Sequence, residues 1–474
     1  MPALNPALQE FLEISNNTLF VYYLLSNLIY LALLILAIVS SAEHQRRLGS
    51  IRLERVKQSP FAPPVAILVP AHNEEGTIAP AVRSLLSLDY PDFEVIVAND
   101  GSKDRTLEVL RQEFRLVETD LLYIPQVECK PVKGVYMSTV EPRLLVVDKE
   151  PGGSKADATN AALNIASSQY VCVVDADGVL EKDALLRVMA PVMTDPRRVR
   201  AAGGIVRAIN GCRVEDGQLT EVRLGRGPIE VIQVIEYLRA FLIGREGWAY
   251  FNMLAIISGA FGVFERELLL RIGGYRPKAI GEDLDLVVRM HRHLLEQKSD
   301  YHISFIPDPV CWTEVPSDLK SLGRQRARWQ KALLEVLWQN RDMLFNPRYG
   351  RIGTIVLPYQ WFFELLAPWI EIIGYGTIAL AAFLGVLSRE FFVQFMLFGY
   401  LFATLISIGS VVQEEITYRR YGNWKDVARL IGYCFLEHFP YRQMHMWWRL
   451  KGTIQYMRGD VKWEPLRRVG FQKS

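Results

Sequence analysis

The stretch YVCVVDADG, residues 170–178, is a continuous apolar run closed by two aspartates one residue apart and a glycine. A short run without alternation fits a strand buried on both faces, the kind found in parallel sheets. Three more stretches share the pattern: VAILVPA (65–71), FEVIVAND (93–100) and RLLVVDK (143–149). A helical pattern near Thr77–Leu88 comes after the first of these and another near Arg105–Phe114 after the second. Strands alternating with helices predict an α/β fold, an open Rossmann-like sheet that binds ligands outside the carboxyl ends of its strands. Each of these strands ends in a polar cluster.

The chain has 474 residues, a net charge of +2 and 22% charged residues, yet half of it is hydrophobic, so its apolar content is concentrated in places. Leu19–Ser40 carries no charge and is long enough to cross a bilayer as a helix. Glu10 and Glu13 precede it and Arg46, Arg47, Arg52, Arg55 and Lys57 come after it. That asymmetry excludes a signal peptide and predicts residues 1–18 outside and the rest on the cytoplasmic side of the inner membrane. Residues 41–63, ending in a proline linker (Pro60–Pro64), lead into an expected cytoplasmic domain over 64–323.

The last third changes character. Trp361–Leu387 carries Glu364 and Glu371 on one helical face with Pro368 between them, and predicts an interfacial helix leading into a kinked span. Phe391–Val412 is a cleaner span, with Arg389 and Glu390 in the hairpin before it. Together they make a membrane region over 354–412. Residues 430–448 hold Glu437, His438, Pro440 and Arg442, which predicts a membrane-surface or re-entrant segment, and 449–474 a basic cytoplasmic tail. RQRARWQKALLEVLWQN, within 324–345, predicts an amphipathic interface helix with Trp329, Leu333, Leu334, Leu337 and Trp338 on its apolar stripe. Five scattered cysteines suggest a reducing compartment, and the near-neutral charge argues against nucleic acid as a partner. His291 and His293 lie two apart on a helix and so on different faces, which predicts surface histidines rather than zinc ligands.

Asp175 and Asp177 admit two readings: turn formers bonding their own backbone, or oxygen ligands for a Mg²⁺ or Mn²⁺ ion that keeps waters and phosphate oxygens as its other ligands. PAHNEE (70–75) and NDGSKD (99–104) put further carboxylates at neighbouring strand ends, with helix capping as their alternative role. Lys155, after two glycines and Ser154 at a helix start, suits a diphosphate. Glu282 and Asp283 in GEDLDLVVRM open a helix, where acids also complement the helix dipole.

Taken in order, P-x-x-N-E-E, N-D-G-S-x-D, G-G-S-K-A-x-A-x-N, D-A-D, S-G-A-F-G-V-F-E-R, G-E-D and Q-x-x-R-W resemble the family 2 glycosyltransferases. Within them the chain is similar to the membrane-embedded synthases of poly-N-acetylglucosamine, cellulose, chitin and hyaluronan. The resemblance runs from about Pro64 to Trp329 and again through KGTIQYMRGDVKWEPLRR. It implies a GT-A-like nucleotide-sugar domain with flanking transmembrane and interfacial helices. It implies that Glu74 and Asp100 hold the uridine and ribose, Lys155 the donor, Asp175 the diphosphate region and the metal, and Asp177 the metal. Asp283, beside Glu282, would be catalytic as the general base; Gln325 and Arg328 would meet the leaving diphosphate; Trp329, Ser258 and Gly259 would border the acceptor. Asn99 stands where many members carry Asp, Ser154 is inserted into the usual G-G-K-A, and G-E-D in place of T-E-D argues against cellulose.

The expected activity is inverting transfer from a UDP-sugar, best UDP-N-acetylglucosamine, onto a growing β-linked glycan. Two alternatives compete: addition of one sugar to a lipid acceptor, and a membrane transport or scaffold protein that senses nucleotide-sugar. With few spans in view, export calls for a homo-oligomer or a partner, and membrane lipids are partners in every reading.

Overall fold

A computed structural model describes residues 6–50, 57, 59, 61–215 and 217–460. The expectations resting on residues 1–5, Arg52, Arg55, Pro60 and the tail beyond residue 460 lie outside the described residues.

A ten-stranded mixed sheet forms the centre, in the order β3-β4-β5-β2-β1-β6-β11-β8-β12-β7. Its parallel heart is β1 (Val65–Ala71), β2 (Phe93–Asp100), β5 (Leu144–Lys149) and β6 (Tyr170–Val174). Val65 to Val69 are fully buried, as the uninterrupted apolar runs require. Ala71 pairs with Asn99 and Asn99 with Asp148, so these strands end level with one another. The loops that leave them therefore meet along one edge. Helices α2 (Ile78–Leu86), α3 (Thr106–Phe114) and α4 (Lys155–Ile165) come after β1, β2 and β5.

The strands added on either side, antiparallel except for the parallel pair β8–β12, were not legible in the sequence. β3 (Leu116–Glu118) and β4 (Val132–Ser138) extend one side, and β11 (Phe261–Glu265), β8 (Val199–Ala208), β12 (His302–Thr313) and β7 (Val179–Leu180) the other. Between β8 and β11 lie a small hairpin, β9 (Arg213–Glu215) and β10 (Gln218–Glu221), and helix α5 (Pro228–Tyr237) with a π-helical continuation over Leu238–Arg245. Helix α6 (Glu282–Glu296) then carries the G-E-D acids, and α7 (Leu319–Gln339) the Q-x-x-R-W residues.

Two expectations are corrected by the fold. His291 is fully buried: its Nδ1 meets the Tyr301 hydroxyl at 2.7 Å and its Nε2 the Leu254 carbonyl at 2.8 Å. Burial pushes this imidazole down to about 4, so it is a neutral core residue and not a surface one. Helix α7 turns the two tryptophans of the expected stripe outward and buries polar residues on its inner face. Trp329 and Trp338 are exposed, whereas Gln325, Arg326, Gln330 and Lys331 face inward with Leu322, Val336 and Leu337. Polar residues can be buried there because partners await them: Gln330 donates to the Leu365 carbonyl and to Thr453 Oγ1 and accepts from Arg449, and Arg326 is ion-paired to Glu236.

Among the described residues two helices are long and apolar enough to cross a membrane, which supports a membrane location: Glu10–Arg46 within α1 (Pro6–Ser50), and α9 (Arg389–Thr417). Ile352–Leu365 together with α8 (Ala367–Phe383) makes a third candidate, bent by 43° just before Pro368. The expected hairpin residues Arg389 and Glu390 form the first turn of α9 instead, capped by Ser388. Helices α10 (Trp424–Leu436) and α11 (Arg442–Met457) meet at a break around Phe439. The sheet is tied to the spans by a buried ion pair between Arg207 of β8 and Glu414 of α9 and by a hydrogen-bonding contact between Asp308 of β12 and His44 Nε2 of α1.

Candidate active site

At the aligned strand ends, side chains lace the loops together. Asn73 is held in the left-handed region (φ +58°); its Oδ1 accepts from the Lys103 amide, and its own amide donates to Ser102 Oγ. Asp104 accepts from the amides of Thr106 and Glu75, so its role combines a turn bond with a tie between loops. Glu74 Oε2 accepts from the Thr77 hydroxyl at 2.6 Å. Asp100 is buried: its Oδ1 accepts from Lys149 Nζ at 2.5 Å and from the Gly152 amide at 2.7 Å. Gly101 has φ +58°, and a Cβ there would strike Pro151 at 2.8 Å, so the turn of N-D-G requires glycine.

Ser154 caps α4 by accepting from the Asp157 amide, which gives the inserted serine a structural purpose. Lys155, in the first turn, reaches across to β6 and β11: its ammonium donates to Asp175 Oδ1 at 2.5 Å and to the Gly259 carbonyl at 2.7 Å. Burial alone would lower this lysine. The charges of Asp175, Glu282 and Asp283 outweigh burial and raise it. Glu282 is pushed up by burial and then by Asp283, against Lys155 and Arg328. Asp283 Oδ2 accepts from the Gly259 amide at 3.4 Å, and its Oδ1 from the Leu284 amide at 2.8 Å. A Cβ on Gly259 would lie 3.1 Å from Lys155 Nζ and 3.8 Å from Glu282 Oε1, so a side chain there would crowd the lysine's ammonium. Lys155, Asp175, Ser258–Gly259, Glu282 and Asp283 thus form one cluster.

Asp177 is buried beside it, past a turn in which the Gly178 amide donates to the Asp175 carbonyl. Among the described residues no three His, Cys, Asp or Glu side chains surround one point as a metal cage. Two carboxylates one residue apart, all oxygen, suit a hard cation completed by phosphate oxygens and water.

The model of the family described as "Glycosyltransferase like family 2" matches residues 63–332. The chain belongs to this family. It is an enzyme, a glycosyltransferase built on a GT-A-like α/β domain. Over 424 residues the family 2 enzyme is 25% identical to a poly-beta-1,6-N-acetyl-D-glucosamine synthase of Staphylococcus epidermidis, covering 86% of this chain and 89% of that one. It is 28% identical over 292 residues to a probable glycosyltransferase of Bacillus subtilis, covering 61% and 60%. Among solved structures, a mannosyltransferase of Pyrobaculum calidifontis in complex with GDP-Man and Mn²⁺ superposes with a TM-score of 0.48 at 21% identity, over 86% of this chain and 99% of that one.

The far wall of the glycosyltransferase site comes from α7. Gln325 is buried, and its Oε1 has no hydrogen-bond partner. The charge of Arg328 acts on Glu282. Trp329 has 41% of its surface exposed, and the Arg326 guanidinium covers one ring face at 4.3 Å. Three further residues escaped sequence reasoning. Lys149 bridges Asp100 and Asp157 with no exposure, signalled only by a lysine ending strand RLLVVDK. Glu236 anchors Arg326 and accepts from the Tyr441 hydroxyl, joining the site to α11. Arg245, on the π-helical turn, lies over the Phe241 ring at 3.8 Å with Nη1 buried and unbonded; burial lowers it to about 10 against the opposing field of Asp283. Nothing in REGWAY distinguishes that arginine from an ordinary helical one.

Proposed function

We propose that this enzyme is a membrane-embedded, inverting, processive synthase that extends a β-linked glycan from UDP-N-acetylglucosamine. One observation carries the reading: Lys155 bonds both Asp175 and the Gly259 carbonyl while Asp283 bonds the Gly259 amide. A donor-binding cation, a carboxylate pair and a candidate base therefore converge on one glycine wall. In this reading Glu74 and Asp100 border the uridine and ribose, Lys155 neutralises the donor, and Gln325 and Arg328 bind the departing diphosphate as fixed donors. Ser258, Gly259 and the open face of Trp329 border the acceptor sugar.

The residues fit a divalent ion, with Asp177 and Asp175 as its protein ligands; when bound, Mg²⁺ or Mn²⁺ would supply charge neutralisation for the diphosphate. An acceptor hydroxyl attacks the anomeric carbon opposite the diphosphate, the carbon–oxygen bond to phosphate breaks with its electrons leaving on UDP, and the hydroxyl proton passes to an Asp283 oxygen. A displacement from one face converts an α-linked donor into a β-glycoside. Glu282, raised by burial and by Asp283, lies beside that base.

We assign residues 1–18 to the outside, with a span over 19–40 and a basic linker over 41–63. A cytoplasmic catalytic domain over 64–323 precedes an interface segment over 324–345, a membrane region over 354–412, a surface or re-entrant segment over 430–448 and a cytoplasmic tail. The synthase similarity over most of the chain supports the polymer reading over transfer of one sugar to a lipid. Export through a homo-oligomer or with a partner belongs to this reading as an expectation. The test is purified protein in detergent, offered a panel of UDP-sugars with Mg²⁺ or Mn²⁺, scoring UDP release and product size. UDP release with polymer from UDP-N-acetylglucosamine, abolished by a chelator, is expected. A product that stays a singly glycosylated lipid at every donor concentration overturns processivity.

A further inference from the structure

Between α7 and the bent span, the chain makes a turn whose surface no catalytic role explains. Two 3₁₀ turns, Arg341–Met343 and Pro347–Tyr349, flank Phe345. Their inner residues Met343 and Tyr349 are buried in a core with Val336, Ile352 and Leu365, so the turn is a fixed structure. Its outer residues are aromatic and basic. Trp338 is 54% exposed, Phe345 59% and the neighbouring Phe251 41%.

Phe345 adopts φ +56°, a costly backbone for a bulky side chain, and its amide is pinned to the Gly353 carbonyl at 2.9 Å. That conformation turns the ring out rather than into the core. The Arg341 guanidinium lies 5.0 Å over the Trp338 ring, and Arg351 lies 5.5 Å over the Phe251 ring while donating to the Phe251 carbonyl. Arg348 is exposed beside them. Among the described residues none of these three arginines is in an ion pair. The nearest acid in sequence, Asp342, is committed to Arg292. Phe345 also meets Phe362, on the helix that bends into α8. The surface is thus continuous with a segment apolar enough to lie in the bilayer.

We propose that this turn is a docking site for anionic phospholipid. Trp338, Phe345 and Phe251 enter the boundary between headgroups and acyl chains, where amphipathic rings are favoured, and Arg341, Arg348 and Arg351 bind the headgroup phosphates. Exposed aromatics continuous with a candidate span point to a lipid surface, and three uncommitted arginines select its charge. Its value to the enzyme would be placement, since α7 carries Gln325 and Arg328 one helix upstream. The proposal rests on the reading that places this turn on the cytoplasmic side.

The full-length protein, stripped of lipid in neutral detergent, is titrated in mixed micelles with phosphatidylglycerol or phosphatidylcholine, and bound lipid is counted by native mass spectrometry. Phosphatidylglycerol should be retained in preference, and R341Q/R348Q/R351Q should weaken it roughly a hundredfold, from three cations at a charged surface. R341K/R348K/R351K keeps the charge and should keep most of the binding, which separates headgroup contact from misfolding. Equal retention of the two lipids by the wild type, or undiminished phosphatidylglycerol on the glutamine variant, overturns the proposal. So does displacement by glycerol 3-phosphate at the same concentration, which would mean a soluble phosphate ligand. The count needs no catalysis, so a protein without UDP release that retains the lipid breaks the proposed function and leaves this site standing. Labelling of Asn346→Cys from the outer face of intact cells breaks the topology and this site with it.

Discussion

The two sides of the cleft are finished to different degrees. At the ends of β1, β2 and β5 most of the polar groups are bonded to one another, Asp104 to two amides, Asp100 to Lys149 and Gly152, Asp157 to Lys149, with the buried Asn99 Oδ1 as an exception. On the side of α6, α7 and the π-helical turn, Gln325 Oε1 and Arg245 Nη1 are buried without a hydrogen bond. A buried donor or acceptor left unsatisfied costs free energy that a ligand can return, whereas a satisfied one has no such reserve. In the proposed reading the first side is mainly a bonded scaffold that also presents Glu74 and Asp100 to the uridine and ribose, and the second carries Gln325 and Arg245 with hydrogen-bonding capacity left for substrate.

Lys149 gives the sharpest way to break this comparison. Its ammonium, with no exposure, joins two carboxylates that are themselves almost wholly buried. Lys149→Met would leave both buried carboxylates without a counter-ion, with only backbone amides bonded to them, and should destabilise the protein by roughly 3–5 kcal/mol. Thermal unfolding in detergent reads the effect directly. A variant with wild-type stability and weakened UDP binding would make that side substrate machinery rather than scaffold.

Asp283→Asn tests the opposite side. The change is nearly isosteric, and the amide oxygen can still accept from the Leu284 amide, so that only the longer bond from the Gly259 amide to the other carboxylate oxygen is given up. Fold and UDP affinity should stay close to those of the wild type while turnover falls by roughly a hundredfold or more, the scale of a lost general base. UDP binding falling in step with turnover would make Asp283 a structural acid at a helix start.

The same contrast explains what the sequence could disclose. The parallel strands were legible because burial on both faces leaves an uninterrupted apolar run, and their shared carboxyl edge is a consequence of that architecture. The α1 span was legible because a bilayer imposes length and composition on whatever crosses it. The β3–β4 extension was not, since VKGVYMS mixes buried and exposed positions and sends only Val135 and Tyr136 into the main core. The pairing of Asp100 with Lys149 was hidden because it depends on β5 lying beside β2, a fact of topology. The polar inner face of helix α7 was not legible, because only the neighbouring Arg449, Thr453 and Leu365 make Gln330 a residue that can be buried. His291 misled for the same reason, its two ring nitrogens both satisfied by distant residues.

Trp329 carries the smallest and most specific effect. Its position is set by the scaffold: Glu236 holds Arg326, and Arg326 covers one ring face. The exposed remainder of the ring is an apolar plane next to the residues assigned to the diphosphate, and such a plane can stack on the apolar face of a sugar. Trp329→Ala removes that platform but none of the groups assigned to donor or proton transfer. A single stacking contact is worth about 1 kcal/mol, or roughly fivefold in retention of the acceptor. Each cycle of a processive enzyme divides between extension and release, so a modest gain in release compounds over many cycles. The variant should therefore make markedly shorter chains while hydrolysis of the UDP-sugar remains detectable. Electrophoresis of product labelled from radioactive donor resolves the lengths. Unchanged lengths would mean that the acceptor is held elsewhere and that Trp329 serves the membrane interface instead.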